Sequence, residues 1–222
     1  MIRWFFLLVL CAGPAFSGPW LRDKGTAFTS TTVEISPADP ARSAPFPPPY
    51  PIDAYTAVYG EYGLTPRLTL GFDGGSDTYG NGTGLLFLRF PLREGKTARM
   101  AGEIALGARW SLTELTPLLR PGASWGRGLT LFDKPGWAAL DATVLIPGDG
   151  GRMVPKLDAT LGLDTGERMK VMLGLTVERP APTLSASVAF RAWDKVHLTV
   201  GIKIRGDRSR PDCLTLGFWQ TF

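Results

Sequence analysis

The chain has few of the residues that build metal centres, disulfides and membrane helices. Its 222 residues include one His and two Cys, too few for a zinc site made of the usual Cys and His ligands. No apolar run reaches the roughly 18 residues that a transmembrane helix needs, and no segment repeats its apolar residues with a helical period. The net charge of +4 is small and evenly spread, which argues against a nucleic-acid partner. We therefore expect no metal and no cofactor.

The first residues have the three parts of a secretory signal peptide. Arg3 supplies the positive start, a short apolar run follows it, and Ala15 and Ser17 are the small residues ahead of a cut before Gly18. This pattern predicts residues 1–17 as a removable signal and residues 18–222 as one mature domain. A single cysteine would remain after the cut, so no intramolecular disulfide could form.

Apolar and polar residues alternate along most of the remaining chain. Residues 196–204 are typical, because Val196, Leu198, Val200, Ile202 and Ile204 share one face of an extended segment. Such a period of two is the signature of β-strands with two different faces. The pattern predicts about 12 strands, near residues 26–35, 53–62, 67–75, 82–92, 97–110, 124–132, 137–146, 155–164, 168–178, 183–192, 196–205 and 213–222.

The predicted connections are alternately short and longer. Short turns are expected at 63–66, 93–96, 133–136, 165–167 and 194–195, and mostly longer loops at 36–52, 76–81, 111–123, 147–154, 179–182 and 206–212. The loop at 36–52 is rich in proline. An even number of strands with all short turns at one end is the arrangement expected of outer-membrane barrels. Alternation alone also permits a soluble barrel whose apolar face points inward.

The C-terminal strand favours a membrane barrel over a soluble one. Leu214, Leu216, Phe218 and the final Phe222 lie at alternate positions, although Gln220 stands where an apolar or aromatic residue is usual. This segment resembles the terminal strand signal of bacterial outer-membrane β-barrel proteins, which the barrel assembly machinery reads. The tract 61–71 is also similar to a hairpin of small, poorly characterised outer-membrane proteins, some of them transporter-like.

That resemblance implies an all-β fold, a closed antiparallel up-and-down transmembrane β-barrel of about 12 strands in the cell outer membrane. It implies outer-membrane lipid, lipopolysaccharide, periplasmic chaperones and the assembly machinery as partners. The positions of aromatic residues support a location in the membrane, because girdles of aromatic residues flank the apolar band of such barrels at both interfaces. Tyr62, Phe132, Trp137, Trp193 and Phe222 fall at expected periplasmic strand ends, and Trp110 and Trp125 flank an expected outer loop.

The polar face of the strands combines small residues with charges of both signs, which suits a crowded polar lumen. The candidate lumen residues are Glu61, Arg67, Asp73, Arg89, Arg99, Glu103, Arg109, Asp141, Asp158, Lys170, Glu178, Arg191, His197 and Lys203. Charges of this kind either line a water-filled pore and set its ion preference or pair with one another and close the barrel.

The sequence therefore predicts a narrow channel for passive or weakly selective movement of small polar solutes. One alternative is a closed barrel that acts as a surface-interaction or structural protein through loops 36–52 and 111–123. Another is a lipid-modifying enzyme that uses His197, with Ser185 and Ser187 on the neighbouring strand. A lone His in a polar network is more often structural than catalytic, so we predict no catalytic residue and no enzymatic activity.

Overall fold

Twelve β-strands account for most of the part of the chain that the structure describes. This computed structural model describes residues 18–38, 52–179, 181–206 and 212–222, so the predicted signal peptide and most of the proline-rich loop lie outside it. The strands are β1 (Ala27–Pro37), β2 (Ile52–Thr65), β3 (Leu68–Asp77), β4 (Gly82–Glu94), β5 (Ala98–Trp110), β6 (Leu115–Leu131), β7 (Lys134–Pro147), β8 (Val154–Gly166), β9 (Met169–Glu178), β10 (Ala181–Trp193), β11 (Val196–Arg205) and β12 (Cys213–Thr221).

The strands form one closed antiparallel barrel in sequence order. Each strand pairs with its neighbours along the chain, and β1 pairs with β12 to close the ring, from Phe28 opposite Thr221 to Ile35 opposite Leu214. Closure leaves no strand edge unpaired, as a sheet within a bilayer requires. The predicted fold class and the number of strands are confirmed.

Short turns and longer connections lie at opposite ends of the barrel. We call the end that carries Phe222 and the connections 66–67, 95–97, 132–133, 167–168 and 194–195 the turn side. The opposite end, whose connections are longer except at 179–180, is the loop side. One boundary was predicted wrongly, because β6 begins at Leu115 and the expected loop 111–123 shrinks to residues 111–114. The prediction failed because Pro117 and Pro121 look like loop residues. In the structure Pro121 lies where the ladder between β6 and β7 is interrupted, so its missing N–H is tolerated.

The outer surface of the barrel is apolar. Leu86 on β4 and Leu106 on β5 are register partners, and each leaves about 60% of its surface exposed, at 61% and 64%. Outward-facing Leu173, Leu184, Ile202 and other aliphatic residues continue this surface around the ring. A continuous exposed apolar surface of this extent is the lipid-facing band of a membrane barrel. Among the described residues, no helix is long and apolar enough to span a membrane.

Large aromatic side chains fill parts of the interior where glycine faces them. A Cβ on Gly71 would lie 2.0 Å from Cζ of Phe87, and one on Gly162 would lie 2.2 Å from Cζ2 of Trp137. Each glycine is the register partner of its aromatic residue on the next strand. The rings therefore lie flat across the neighbouring strand, and they reduce the width of the lumen.

Two of the predicted girdle residues lie elsewhere. Trp137 is buried inside the barrel and Trp125 is opposite Met100, in the turn-side half of β6, far from any outer loop. Trp125 was misplaced because β6 begins nine residues before the predicted start at 124. Trp137 does lie near the turn-side end of β7, but its side chain points into the barrel. Tyr62, Phe132, Trp193 and Phe222 are exposed at the turn side, and Trp110 lies at the loop-side end of β5, as an interfacial girdle requires.

Candidate functional site: the barrel lumen

The segment that precedes β1 enters the barrel from the turn side. The backbone N–H of Gly25 donates to the carbonyl oxygen of Gly63 (2.8 Å), and the N–H of Gly63 donates to that of Thr26 (3.0 Å). Further into the barrel, the N–H of Arg22 donates to Oγ1 of Thr69 at 2.9 Å. Pro19 is fully buried. We call residues 18–26 the N-terminal segment, and it narrows the lumen from the turn side.

Glycine on β6 makes room for this segment. A Cβ on Gly126 would lie 2.5 Å from Cη2 of Trp20 and 3.0 Å from Cδ of Pro19. Gly126 does not mark a bulge, because neither ladder of β6 shifts register. Gly126 instead allows the indole of Trp20 to lie against the barrel wall.

An ion-pair network connects the N-terminal segment to five strands. Arg22 Nε donates to Glu61 Oε2 at 2.5 Å, and Arg89 Nη1 donates to Glu61 Oε1. Arg89 Nη2 donates to Glu103 Oε2 at 2.8 Å, and Arg120 donates to Glu103 Oε1 at 3.0 Å. The network continues from Arg120 to Asp73 Oδ2 at 2.5 Å. Buried charges need such partners, since an unpaired one is strongly destabilising.

Aromatic rings fill the lumen next to this network. Tyr59 stacks on Phe87 with ring centroids 5.7 Å apart and meets the edge of Phe28 at 6.3 Å. Its hydroxyl donates to Glu61 Oε1 at 2.5 Å. The guanidinium of Arg22 lies over the ring of Phe28, 4.6 Å from its centroid. The turn-side half of the interior is therefore densely packed.

A cavity of about 830 Å³ lies within the barrel beyond this packing. It extends from Gly18, Trp137 and Trp219 to Glu34, Lys156 and Lys203 near the loop side. Its wall is rich in hydroxyl groups, from Ser30, Thr32, Thr83, Ser124, Thr143, Thr160, Thr176, Ser185, Ser187, Thr199 and Thr215. At its loop-side end, Glu34 accepts from Lys203 Nζ and, at 3.4 Å, from Arg205 Nη2.

The structure places most of the predicted lumen residues on the inner wall. Asp73, Arg89, Glu103, Asp141, Asp158, Glu178 and Lys203 line the cavity, and Glu61 is buried beneath it. Lys170 pairs with Asp164 at 2.5 Å, and Arg191 is the register partner of His197. Arg99 and Arg109 occupy inward positions but are exposed at opposite rims.

Arg67 was placed wrongly, and three interior residues were missed. Arg67 is exposed in the two-residue turn between β2 and β3, because β3 begins only at Leu68. Arg120 was assigned to a loop with the rest of residues 111–123. Tyr59 shares its face with Glu61, so alternation could have identified it. Nothing in the pattern of Arg22 indicates that the chain before β1 returns into the barrel.

His197 lies against an aromatic ring inside the barrel. Its ring centroid is 5.3 Å from that of Trp219, and its buried Nδ1 forms no hydrogen bond with any described residue. Ser185 and Ser187 line the cavity. A general base needs a partner that orients it, and the Nδ1 side of this imidazole has no such partner in the described part of the chain.

The fold matches solved structures of outer-membrane channels at low sequence identity. A KdgM porin is 10% identical, with 89% of this chain and 99% of the porin covered and a TM-score of 0.62. The NanC porin is 6% identical, with 87% and 98% covered and a TM-score of 0.58. A COG4313 outer membrane channel from Pseudomonas putida F1 is 14% identical, with 92% and 97% covered and a TM-score of 0.51. No family model and no curated protein matches the sequence.

The class follows from the closed ring, the apolar exterior and the polar interior: the chain is a twelve-stranded transmembrane β-barrel. More particularly, its fold is that of bacterial outer-membrane β-barrels, and the outer membrane is the location that fold and surface indicate.

Proposed function

We propose that the barrel is a narrow outer-membrane channel for small polar solutes. The observation that carries this proposal is the cavity of about 830 Å³ inside a closed barrel, with eleven Ser and Thr residues and ten charged residues among those that line it. A lumen packed shut would leave no such space, since side chains fill the interior of the smallest barrels. Hydroxyl groups can donate and accept hydrogen bonds, so they can replace part of the hydration shell of a passing solute.

The arrangement of charges supports weak selectivity. Arg89, Arg120, Lys156 and Lys203 each have an acidic partner on the wall of the cavity. Paired charges largely cancel each other at a distance, so the lumen presents no strong field of one sign to a solute. Neutral polar molecules and small ions would therefore pass with modest preference.

The N-terminal segment supplies the constriction of the proposed channel. It occupies the turn-side half of the lumen together with the rings of Tyr59 and Phe87, and the Glu61 network holds it to the wall. Passage would then depend on the gap that this segment leaves, or on its displacement. The same packing favours the alternative of a closed barrel that acts through its loop side, so the test must separate the two.

Conductance in a planar lipid bilayer tests the proposal directly. The refolded chain 18–222 is compared with a chain that lacks residues 18–22 and with a Trp20→Ala variant. We expect small, infrequent current steps from the intact chain, larger steps from the truncated chain, and an intermediate result for Trp20→Ala. Lys24→Ala, an exposed residue of the same segment, serves as the matched control and should behave as the intact chain. A truncated barrel that folds but carries no current would favour the closed barrel.

Assembly partners are part of the same proposal. Leu214, Leu216 and Phe218 face outward on β12, and the N–H of Phe222 donates to the carbonyl oxygen of Ala27 at 2.9 Å, where β12 meets β1. We propose that the barrel assembly machinery reads this closing strand after chaperones deliver the chain across the periplasm, and that lipid and lipopolysaccharide cover the apolar band. Deleting Phe222 should then reduce the amount of folded barrel in the outer membrane.

A further inference from the structure

Two carboxylates face each other on the wall of the cavity. Asp141 on β7 and Asp158 on β8 are register partners, and both line the cavity. Like charges directly opposite one another destabilise a sheet. Asp158 has two partners, since Oδ1 accepts from Thr176 Oγ1 at 2.5 Å and Oδ2 lies 3.0 Å from Lys156 Nζ. Asp141 makes no hydrogen bond and no ion pair with a described residue, so this position lacks a cation.

The start of the N-terminal segment lies next to this position. Gly18 lines the same cavity, and a Cβ on it would lie 3.1 Å from Cβ of Ala139, two residues before Asp141 on the same inward face. Trp20 lies over Gly126, the register partner of Ala139. Arg22 therefore lies nearer the turn side, and Gly18 lies further into the cavity. The direction from Arg22 to Gly18 is also the direction in which β7 runs from Ala139 to Asp141.

Other cations near Asp141 are already engaged. Arg89, on β4, is shared between Glu61 and Glu103, and Lys156, on β8, pairs with Asp158. The charges that act on Asp141 are these two cations, together with Asp158 and Glu103. A cut before Gly18 would convert its amide nitrogen into an ammonium group, which is a new positive charge at this point of the lumen. A charge inside a protein needs a partner of opposite sign.

We propose that the α-ammonium of Gly18, created when residues 1–17 are removed, pairs with Asp141 and anchors the N-terminal segment in the lumen. The inference rests on the proposed channel, because it names what holds the constriction in place, and on the predicted cut. Glycine suits the position, since a Cβ there would crowd both Ala139 and Trp20. Export would thus complete the constriction only after the signal has been removed.

Reactivity of the amine tests the pairing without any measurement of current. Protein is purified from outer membranes after export, and mass spectrometry is expected to give Gly18 as its first residue. The folded protein is then treated at neutral pH with an amine-acylating reagent, and peptide mapping measures the rate at Gly18. Because the pairing keeps the amine protonated and covered, we expect acylation roughly tenfold slower than in the urea-unfolded chain. Asp141→Asn should remove most of this protection.

Two further variants make the result specific. Glu178→Gln is the matched control, because Glu178 also lines the cavity but lies at the loop-side end of β9, and it should leave the amine protected. Insertion of Ala between Ser17 and Gly18 displaces the terminal amine by one residue and leaves the residues of the barrel wall unchanged. It should abolish the protection of the amine from acylation. This variant keeps the test decisive if Asp141→Asn folds poorly.

Three results would overturn the inference. They are a different first residue, equal acylation rates for the unchanged protein and Asp141→Asn, or an inserted chain that stays protected. If a cation from solution neutralised Asp141 instead of the amine, the unchanged protein and Asp141→Asn would be acylated at equal rates. Asp141→Asn would then also change the ion preference. If the protein carries no current, the channel proposal fails, whereas the amine experiment still decides the pairing.

Discussion

Arg89 and Glu61 form an ion pair inside the barrel in which the side chain of Glu61 is completely buried and that of Arg89 is 7% exposed. Glu61 also accepts from Arg22 and from the hydroxyl of Tyr59. One carboxylate therefore joins β2, β4 and the N-terminal segment. Its removal should affect the fold and the constriction together.

We expect Glu61→Gln to destabilise the barrel and to release the N-terminal segment. Loss of one partner from a buried pair costs about 3 to 5 kcal/mol, because Arg89 would keep only Glu103 and Arg22 would lose its ion pair with Glu61. Urea titration of the barrel folded in lipid vesicles measures the loss in the free energy of unfolding. Recordings in a planar bilayer should show larger current steps for the variant than for the unchanged protein. Glu178→Gln, which removes a carboxylate that forms no ion pair with a described residue, is the control. Equal stability of the two variants would contradict this account of the network.

The packing of Trp137 over Gly162 gives a second prediction. A methyl group at Gly162 would overlap the indole, so Gly162→Ala should cost about 1 to 3 kcal/mol of stability through overpacking. Gly128→Ala is the matched control, since nothing lies within 4 Å of a Cβ at that position. Combining Gly162→Ala with Trp137→Leu should recover part of the loss, which a double-mutant cycle measures. An additive double variant would show that the two residues do not interact.

The sequence predicted the ring of strands because alternation is a local property that repeats along every strand. It failed where a residue's role depends on distant parts of the chain. Pro117 and Pro121 are tolerated in β6 because of how this strand pairs with β7, which no local pattern records. The inward return of Arg22 depends on space left by Gly63 and Gly126, which belong to β2 and β6.

Candidate lumen charges were predicted well in the middle of strands and poorly at their ends. Asp141 and Asp158 have apolar neighbours on both sides that fix their face. Arg67 lies beside Pro66, where the strand boundary itself was uncertain, and a shift of one or two residues moves a side chain from the wall into a turn. Pairing partners such as Lys203 and Glu34 are 169 positions apart, so they become visible only when the barrel closes.

The apolar exterior gives a third prediction. Leu106 is 64% exposed near the middle of β5, so Leu106→Arg should cost about 2 to 4 kcal/mol in a lipid bilayer, where a charge near the midplane lacks water. Thr143→Arg places the same side chain on the lumen wall and is the comparison. Unfolding in vesicles should show a larger loss for Leu106→Arg. A smaller loss would mean that this face does not meet lipid.

The ion pair at the loop side gives the last prediction. Glu34 accepts from Lys203 and Arg205, so Glu34→Gln leaves positive charge unbalanced at the end of the cavity. We expect the reversal potential under a salt gradient to move toward anion preference. Lys203→Gln should move it in the opposite direction. Salt screens charges over about 10 Å at 0.1 M and about 3 Å at 1 M, and the shift should therefore shrink as the salt concentration rises. Identical reversal potentials for the two variants would show that permeating ions do not pass this pair.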